Sequence, residues 1–430
     1  MSVEARLPGA GSRVGSGPGG RRILMIWSQL PAPPDGGSDL RVHHLATQLA
    51  RGHRVTLLAY GAAGDGRDWE GMARILDGVH RVSPPPDHAL RRAGGRRTGS
   101  LIRRSRQLTS LGRRSSFHLQ ALRSGEMQRA IDRVVRSGGF DIIQVESSGM
   151  MGYEFPGSSP VVLDEHNIEY ELLDRVAGIE ASPLRRQFGR LEAAKVRREE
   201  QRFWSMVDGC VATSAVDEAA IRRACPSLPT AVVPNAVDTD HFAPGPAAGD
   251  PDRIVFVGRM DFRPNVDAVT WFALDVLPRV RRLHPSVVLT VVGDGAPPSV
   301  RRLAGPGVVL TGRVDDVRPF VQGAGVVVAP LRAGSGTRLK VLEAMSMAKP
   351  VVSTAVGAEG LDVTHGEHLL LGDDPEEMAE QVLRLMADPG LRARLGAAGR
   401  ALAVERYGWG AAAARLEAFH DEVAGASARR

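Results

Sequence analysis

Short apolar runs alternate with longer amphipathic stretches along nearly the whole chain, and the series starts twice. In the first half the runs fall at 21–28 (RRILMIWS), 53–60, 141–147, 160–166, 209–214 and 230–235. In the second half they fall at 253–259, 286–293, 307–313, 325–330, 349–354 and 367–372. Unbroken Val/Ile/Leu runs suit strands buried on both faces. Runs separated by helical stretches indicate parallel sheets joined by right-handed crossovers. Residues 236–252, rich in Pro, Gly and Asp, read as a linker. The expected fold class is therefore α/β, with two doubly wound parallel-sheet domains at 21–236 and 253–405. Residues 1–20, rich in Gly, Ser and Pro, are expected to form a disordered leader. A long charged helix over about 183–206 is expected to face solvent.

The totals narrow the function classes. Two cysteines in 430 residues, Cys210 and Cys225, give neither a disulfide framework nor metal-site spacing, so a reducing cytoplasm is the expected home. No apolar run approaches the roughly 18 residues a spanning helix needs. The net charge of +6 is concentrated: 89–136 carries thirteen Arg against Glu126 and Asp132, a local +11. Basic residues mixed with Leu, Ile and Phe fit an anionic membrane surface, and they also fit a solvated loop and helix. Nucleic acid is not an expected partner, because zinc-finger spacing and RNP-type sequence are absent.

The segment 334–361, GSGTRLKVLEAMSMAKPVVSTAVGAEGL, concentrates the chemistry. Gly334 and Gly336 suggest a turn that brings backbone N–H groups against a ligand. A helix expected to open near Thr337 supplies an anion-binding N-terminus. Lys340 and Glu343, spaced i and i+3, share one face, while Leu339, Leu342 and Met345 would pack inward. The chain has only three lysines, and Lys340 and Lys349 both lie here. Lys340 reads either as a phosphate-binding point charge or as an ordinary solvated helix lysine. Gly36 and Gly37 follow the first strand and precede a helix with Ser38 as the expected N-cap. In an open α/β sheet that is where ligands bind.

The strings VFVGRM, VVGDG, LTGRVDDV, VVVAPLRAGSGTRLKVLEAMSMAKPVVST and VPNAVDTDHF resemble the GT-B glycosyltransferases, in particular the retaining family 4. The resemblance implies two Rossmann-like domains facing a cleft, with a terminal helix, about 408–425, packing back on the first. It implies that Glu343, the second Glu of an E-x7-E signature, accepts from ribose hydroxyls. The first Glu of that signature is replaced by Ser335. Arg259 is placed on the diphosphate. The Lys expected a few residues on is replaced within Arg263–Pro264–Asn265, so Lys340 is expected to supply the missing charge. His166 resembles the family's sugar-facing His, with Asp164 and Asn167 near enough to orient it. The expected catalytic set is thus His166, Arg259, Lys340 and Glu343. Gly36, Gly37, Gly293, Gly312, Arg313, Gly334, Ser335, Gly336 and Thr337 complete the nucleotide-sugar site.

Neither a cofactor nor a metal is expected. Asp315–Asp316 and Asp373–Asp374 read as turn and cap residues. The implied activity is retaining transfer of a hexosyl unit from a nucleotide-diphospho-sugar to a glycan or lipid-linked acceptor, in cell-envelope or exopolysaccharide synthesis. The setting would be cytoplasmic, including the inner face of the plasma membrane. Two readings remain beside it: a UDP-sugar epimerase of the same architecture, and a non-catalytic GT-B subunit of a membrane glycan-assembly complex.

Overall fold

The computed structural model describes residues 20–34, 36–62, 64–85, 115–180, 182–245, 249–334, 336–427 and 429. Residues 1–19 of the expected leader, 89–114 of the Arg-rich stretch and Ser335 lie outside the described residues. The chain divides into two units. One holds Met1–Leu173, Phe188–Val233 and Ala412–Arg430; the other holds Asp174–Gln187 and Pro234–Ala411.

The first unit is built on a seven-stranded parallel sheet. Its strands are β1 (Arg22–Trp27), β2 (Arg54–Tyr60), β3 (Gly78–Val82), β4 (Ile142–Glu146), β5 (Val161–Glu165), β6 (Gly209–Ala212) and β7 (Thr230–Val232), in the order β3-β2-β1-β4-β5-β6-β7. The second unit has six parallel strands, β8 (Asp250–Val257), β9 (Val288–Val292), β10 (Val308–Gly312), β11 (Ala324–Ala329), β12 (Val351–Ser353) and β13 (Leu370–Leu371), in the order β10-β9-β8-β11-β12-β13. Both are doubly wound sheets of the expected class. Strand β3 was not among the expected runs. Its sequence, GVHRV, carries His80 and Arg81, which an edge strand tolerates and a central one does not.

In each sheet the strand order reverses once, between β1 and β4 in the first and between β8 and β11 in the second. Chains leaving the carboxyl ends of those neighbours turn away to opposite faces and leave a crevice, the natural ligand position in such sheets. The second unit's core shows the strand period of two. Ile254 and Phe256 join the apolar cluster that includes Val291, Val328 and Leu385, while Val255 points into the cluster of Val327, Leu342 and Met345.

Four helices bear on function: α1 (Gly37–Leu49), α2 (Pro183–Trp204), α3 (Leu339–Ser346) and α4 (Trp409–Ser427). Helix α2 differs from the solvent-facing expectation. Glu192, Ala193, Lys195, Val196, Glu200, Phe203 and Trp204 are buried, so its carboxyl half is a core element. Glu192 and Lys195 satisfy each other at 2.8 Å, and Glu165 accepts from the Trp204 indole at 2.9 Å. The division also departs from the expected 21–236 domain at residues 174–187, which group with the second unit. Arg175 pairs with Glu359 and donates to the Gly334 carbonyl at 2.7 Å, and Arg263 pairs with Glu180.

Candidate functional site

In the first unit the crevice between β1 and β4 holds a cavity of about 300 Å³. Trp27, Gln29, Asp39, Ser147, His166 and Asn167 are among its walls, with Gly36 and Gly37 at the entry to α1. Gly36 is the N-cap of α1 and Gly37 its first residue, so the helix starts ahead of Ser38 and the expected hydroxyl cap is not made. Asp39 in the first turn complements the helix dipole and accepts from the Trp27 indole at 3.0 Å and from the Gln29 amide.

His166 follows β5 and is buried. Its Nε2 lies 2.9 Å from Glu146 Oε2, and its ring centroid lies 5.0 Å from that of Trp27. The residue that orients His166 is therefore Glu146, which the sequence reading did not single out. Asp164 is otherwise engaged: Arg41, wholly buried, clamps it with Nε and Nη2 at 2.9 Å and donates Nη1 to the Val233 carbonyl at 2.8 Å. A signal for Glu146 was present. In DIIQVES, Gln144 and Glu146 alternate inside an apolar central strand, and polar residues in such a place must find partners.

Burial pushes the Glu146 carboxyl upward, partly offset by its bond to His166. A second buried acid layer lies beside it. Glu165 is pushed up to about 8 by burial, and Glu200 is held well above the usual carboxylate range by burial and by the charges of Glu165 and Glu169. Ser148 links the two, its N–H donating to Glu165 and its hydroxyl to Glu200.

Glu146, Asp164 and His166 bring potential ligand atoms within 4.8 Å of one another, a grouping the sequence reading did not anticipate. Those atoms are already used. Both Asp164 oxygens accept from Arg41, Glu146 Oε1 accepts from Gln144, and Glu146 Oε2 meets His166. The adjacent acids at 373–374 cap backbone: Asp374 accepts from the N–H groups of Glu376 and Glu377, and Asp373 from that of Ala355.

The second unit's site forms at the carboxyl ends of β8 and β11. Helix α3 begins at Leu339 with Arg338 as N-cap, two residues later than expected, so Thr337 is a buried loop residue. Val341, Leu342, Ala344 and Met345 face the core, leaving Lys340 and Glu343 half-buried on the other side. Gly334 has φ 153°, a conformation that favours glycine, and its Cα passes close to the Arg338 guanidinium. Gly336 lies between this turn and Thr337.

Lys340 donates to Asn265 Oδ1 at 2.7 Å and stands 4.3 Å from the Phe256 ring centroid. Asn265 in turn donates to the Arg259 carbonyl at 2.8 Å. Asn265 thus holds Lys340 in place, a role the sequence reading did not assign. Burial and the nearby Arg338 charge push Lys340 down to about 7, and burial pushes Glu343 up to about 7. Arg259, half exposed, is paired with Asp261 through Nε at 3.1 Å. Lys349, the other lysine of the segment, is buried and donates to main-chain carbonyls, Ala324 at 3.2 Å among them. Gly293 and Gly312 end β9 and β10 and bond to each other through N–H and carbonyl at 3.2 Å. A Cβ on Gly293 (φ 148°) would collide with the Gly258 carbonyl, so main-chain packing already accounts for this glycine. Arg313 is exposed beside them. The site residues thus fall into two groups: Gly36, Gly37 and His166 in the first unit, and the remainder, Ser335 excepted, in the second.

Two family models match the chain, "Glycosyltransferase Family 4" over residues 35–241 and "Glycosyl transferases group 1" over 251–388. A phosphatidyl-myo-inositol mannosyltransferase of Mycobacterium tuberculosis is 32% identical over 212 residues, 46% of this chain and 55% of that protein. A D-inositol 3-phosphate glycosyltransferase of Streptomyces bingchenggensis is 30% identical over 259 residues, 54% of this chain and 56% of that protein. The chain thus spans about half the length of these relatives. Among solved structures, a sucrose-phosphate synthase from Thermosynechococcus elongatus superposes with a TM-score of 0.69 at 18% identity, covering 94% of this chain and 100% of that one. Anabaena HepE, solved with UDP and glucose, superposes with a TM-score of 0.64 at 15% identity, covering 94% and 100%. These likenesses establish the GT-B fold.

Proposed function

The chain belongs to the family 4, group 1 glycosyltransferases, and on that premise we propose that it moves a hexosyl unit, with retention, from a nucleotide-diphospho-sugar to a glycan or lipid-linked acceptor in cell-envelope or exopolysaccharide synthesis. The observation that carries this reading is the Asn265–Lys340–Glu343 cluster at the switch point of the second sheet. A lysine held on an amide oxygen and pushed toward neutrality has unspent capacity for an anion. A diphosphate arriving there would restore its charge and receive, in return, a cation that counters the negative charge growing on the leaving group. Arg259 adds a second cation from the β8 end. Glu343, an acceptor when ionised, would take the ribose hydroxyls. In the first unit, His166 and the Trp27-walled cavity suit a hydroxyl-bearing sugar.

The reaction as proposed needs no metal. The one grouping of metal-ligating side chains among the described residues has its oxygens committed to Arg41, Gln144 and His166. The Arg-rich stretch 89–136 would rest on an anionic membrane surface on the cytoplasmic side. Among the described residues no helix is long and apolar enough to cross a membrane. The likeness to the mycobacterial phosphatidyl-myo-inositol mannosyltransferase supports a lipid-linked acceptor.

The test is thermal shift across UDP-, GDP-, ADP- and dTDP-sugars, repeated on Glu343→Ala. One nucleotide class should stabilise the protein, by about 2.7 kcal/mol at a hundred times its Kd. Glu343→Ala should weaken it at least tenfold, the worth of a hydrogen bond to a charged group. An equal response in the variant, or none to any donor, would remove the transferase reading. Epimer formation from radiolabelled donor without acceptor would transfer the site to epimerase chemistry.

A further inference from the structure

Helix α4 reaches the site histidine through an unbroken line of side chains. His420 Nε2 lies 2.8 Å from Gln144 Oε1, Gln144 Nε2 lies 2.7 Å from Glu146 Oε1, and Glu146 Oε2 lies 2.9 Å from His166 Nε2. All four residues are buried. Gln144 and Glu146 stand at i and i+2 on β4, so they share one face of the central strand. No core-packing need calls for a Gln, a Glu and two His in a row, and each buried polar group in such a line is costly unless its neighbour satisfies it.

The chain has one direction. An ionised Glu146 only accepts, and in that state the Gln144 amide turns its NH₂ to Glu146 and its oxygen to His420. That oxygen can only accept, so His420 must carry its proton on Nε2. Burial pushes His420 down to about 3, and the neighbouring charges of His53 and Arg21 act the same way, so the ring is neutral with Nε2–H as its donor. Glu146 Oε1 is thereby filled, and Oε2 is left to accept from His166. Also near His166 are the Trp27 ring, Asp164 with its Arg41 partner, and the Thr213 hydroxyl at the His166 carbonyl. None of these fixes the ring nitrogen that carries the proton.

We infer that Gln144 and His420 are positioning residues for His166, and that the C-terminal helix, acting through Gln144 and Glu146, holds the His166 proton on Nε2 and presents Nδ1 as an acceptor. This rests on the reading of His166 as a substrate-facing residue, but its first test needs no substrate.

Full-length protein labelled with ¹⁵N-histidine is studied by long-range ¹H–¹⁵N correlation, with the His166 signals assigned from their loss in His166→Gln. The wild type should show His166 protonated on Nε2, and Nδ1 protonation there would overturn the inference whatever the variants do. His420→Phe and Gln144→Met, with folding verified by circular dichroism and melting, should move His166 toward the average of two tautomers. His420→Gln, which keeps a donor toward Gln144, should restore the wild-type pattern. Unchanged His166 signals in both breaking variants would reduce the line to core packing. With a transferable donor in hand, the breaking variants should lower kcat roughly 2- to 10-fold, the scale of one hydrogen bond, at constant KM for the donor. A loss seen only in KM would count against positioning. Failure of every donor would leave the tautomer result standing and remove only the transferase reading.

Discussion

The two units solve the burial of charge in opposite ways. In the first, the charged groups behind and beside His166 are held by protein partners: Arg41 with Asp164, Glu146 with Gln144 and His166, and Asp39 with Trp27 and Gln29. In the second, Lys340 and Glu343 are driven toward neutrality by burial, and the ammonium holds only an amide oxygen and an aromatic face. A closed network fixes geometry before any ligand arrives, at the expense of adaptability. An open pair is destabilising until a ligand of the right charge completes it. The first arrangement suits a histidine that must be aimed; the second suits a site whose ligand brings its own anions.

The largest expected effect tests that contrast directly. Arg41→Met leaves the Asp164 carboxylate buried without its clamp and should lower stability by about 3–5 kcal/mol, read by urea denaturation. Lys340→Met, by contrast, removes a charge that burial already disfavours and should leave stability unchanged or higher, while nucleotide affinity falls. A loss below about 1 kcal/mol for Arg41→Met, or a comparable loss for Lys340→Met, would erase the distinction between closed and open charge.

A smaller effect concerns pH. Glu343 titrates near 7 in the folded chain against its ordinary 4.5, so between those values the folded state holds the extra proton and stability falls as pH rises. Lys340 titrates near 7 against its ordinary 10.5, so above 7 the unfolded state holds the extra proton and stability climbs again. Other buried groups add their own slopes, Glu165 and His420 among them. The quantity to measure is therefore the difference between the wild type and Lys340→Met/Glu343→Gln across pH 5–10. That difference should pass through a minimum near pH 7. A flat difference would mean the pair is as solvated as an ordinary surface pair. Saturating nucleotide should fill the minimum in, because a bound diphosphate restores the lysine's charge.

The fold was legible because a sheet buried on both faces writes itself as unbroken apolar runs. The exception was β3, where His80 and Arg81 interrupt the run at an edge that tolerates them. The second unit's site was partly legible because Gly334, Lys340 and Glu343 lie within ten residues, where the loop and one helix face bring them together. Asn265 was not, since its meeting with Lys340 spans 75 residues and depends on two strand ends adjoining across the sheet. The first unit's network was least legible. Arg41, Gln144, Glu146, Asp164 and His420 come from three elements and the terminal helix, and single-residue chemistry says nothing of which acid meets which base. The boundary of α3 and the burial of α2 were misjudged for one reason: propensity is local, whereas the cap at Arg338 and the seat of Trp204 are set by tertiary contacts.

The smallest expected effect concerns backbone strain, and each unit supplies a case. Among the described residues the non-glycines with positive φ are Ser147, at 73°, and Ala348, at 54°. Ser147 follows β4 on the cavity wall, its N–H donating to the Asp164 carbonyl at 2.8 Å and its hydroxyl accepting from Gly149 N–H at 3.3 Å. Ala348 lies just past the C-cap of α3, its N–H bonded to the Met345 carbonyl at 2.9 Å. Glycine relieves the strain at either position, at Ala348 by about 1–2 kcal/mol, less the roughly 0.5–1 kcal/mol that its greater chain entropy costs. At Ser147 the gain is reduced by the lost hydroxyl cap on Gly149 N–H, worth about a few tenths of a kcal/mol when glycine takes its place. Both changes should therefore raise or hold the melting temperature, Ala348→Gly more cleanly. They should part in binding. If the strained turn at Ser147 is what aims the wall of a preorganised cavity, Ser147→Gly should weaken acceptor binding while Ala348→Gly leaves both acceptor and nucleotide affinity as they were. Equal affinities in the two variants would show that the first unit's rigidity lies in its charge network alone, with the strained turn contributing nothing to it.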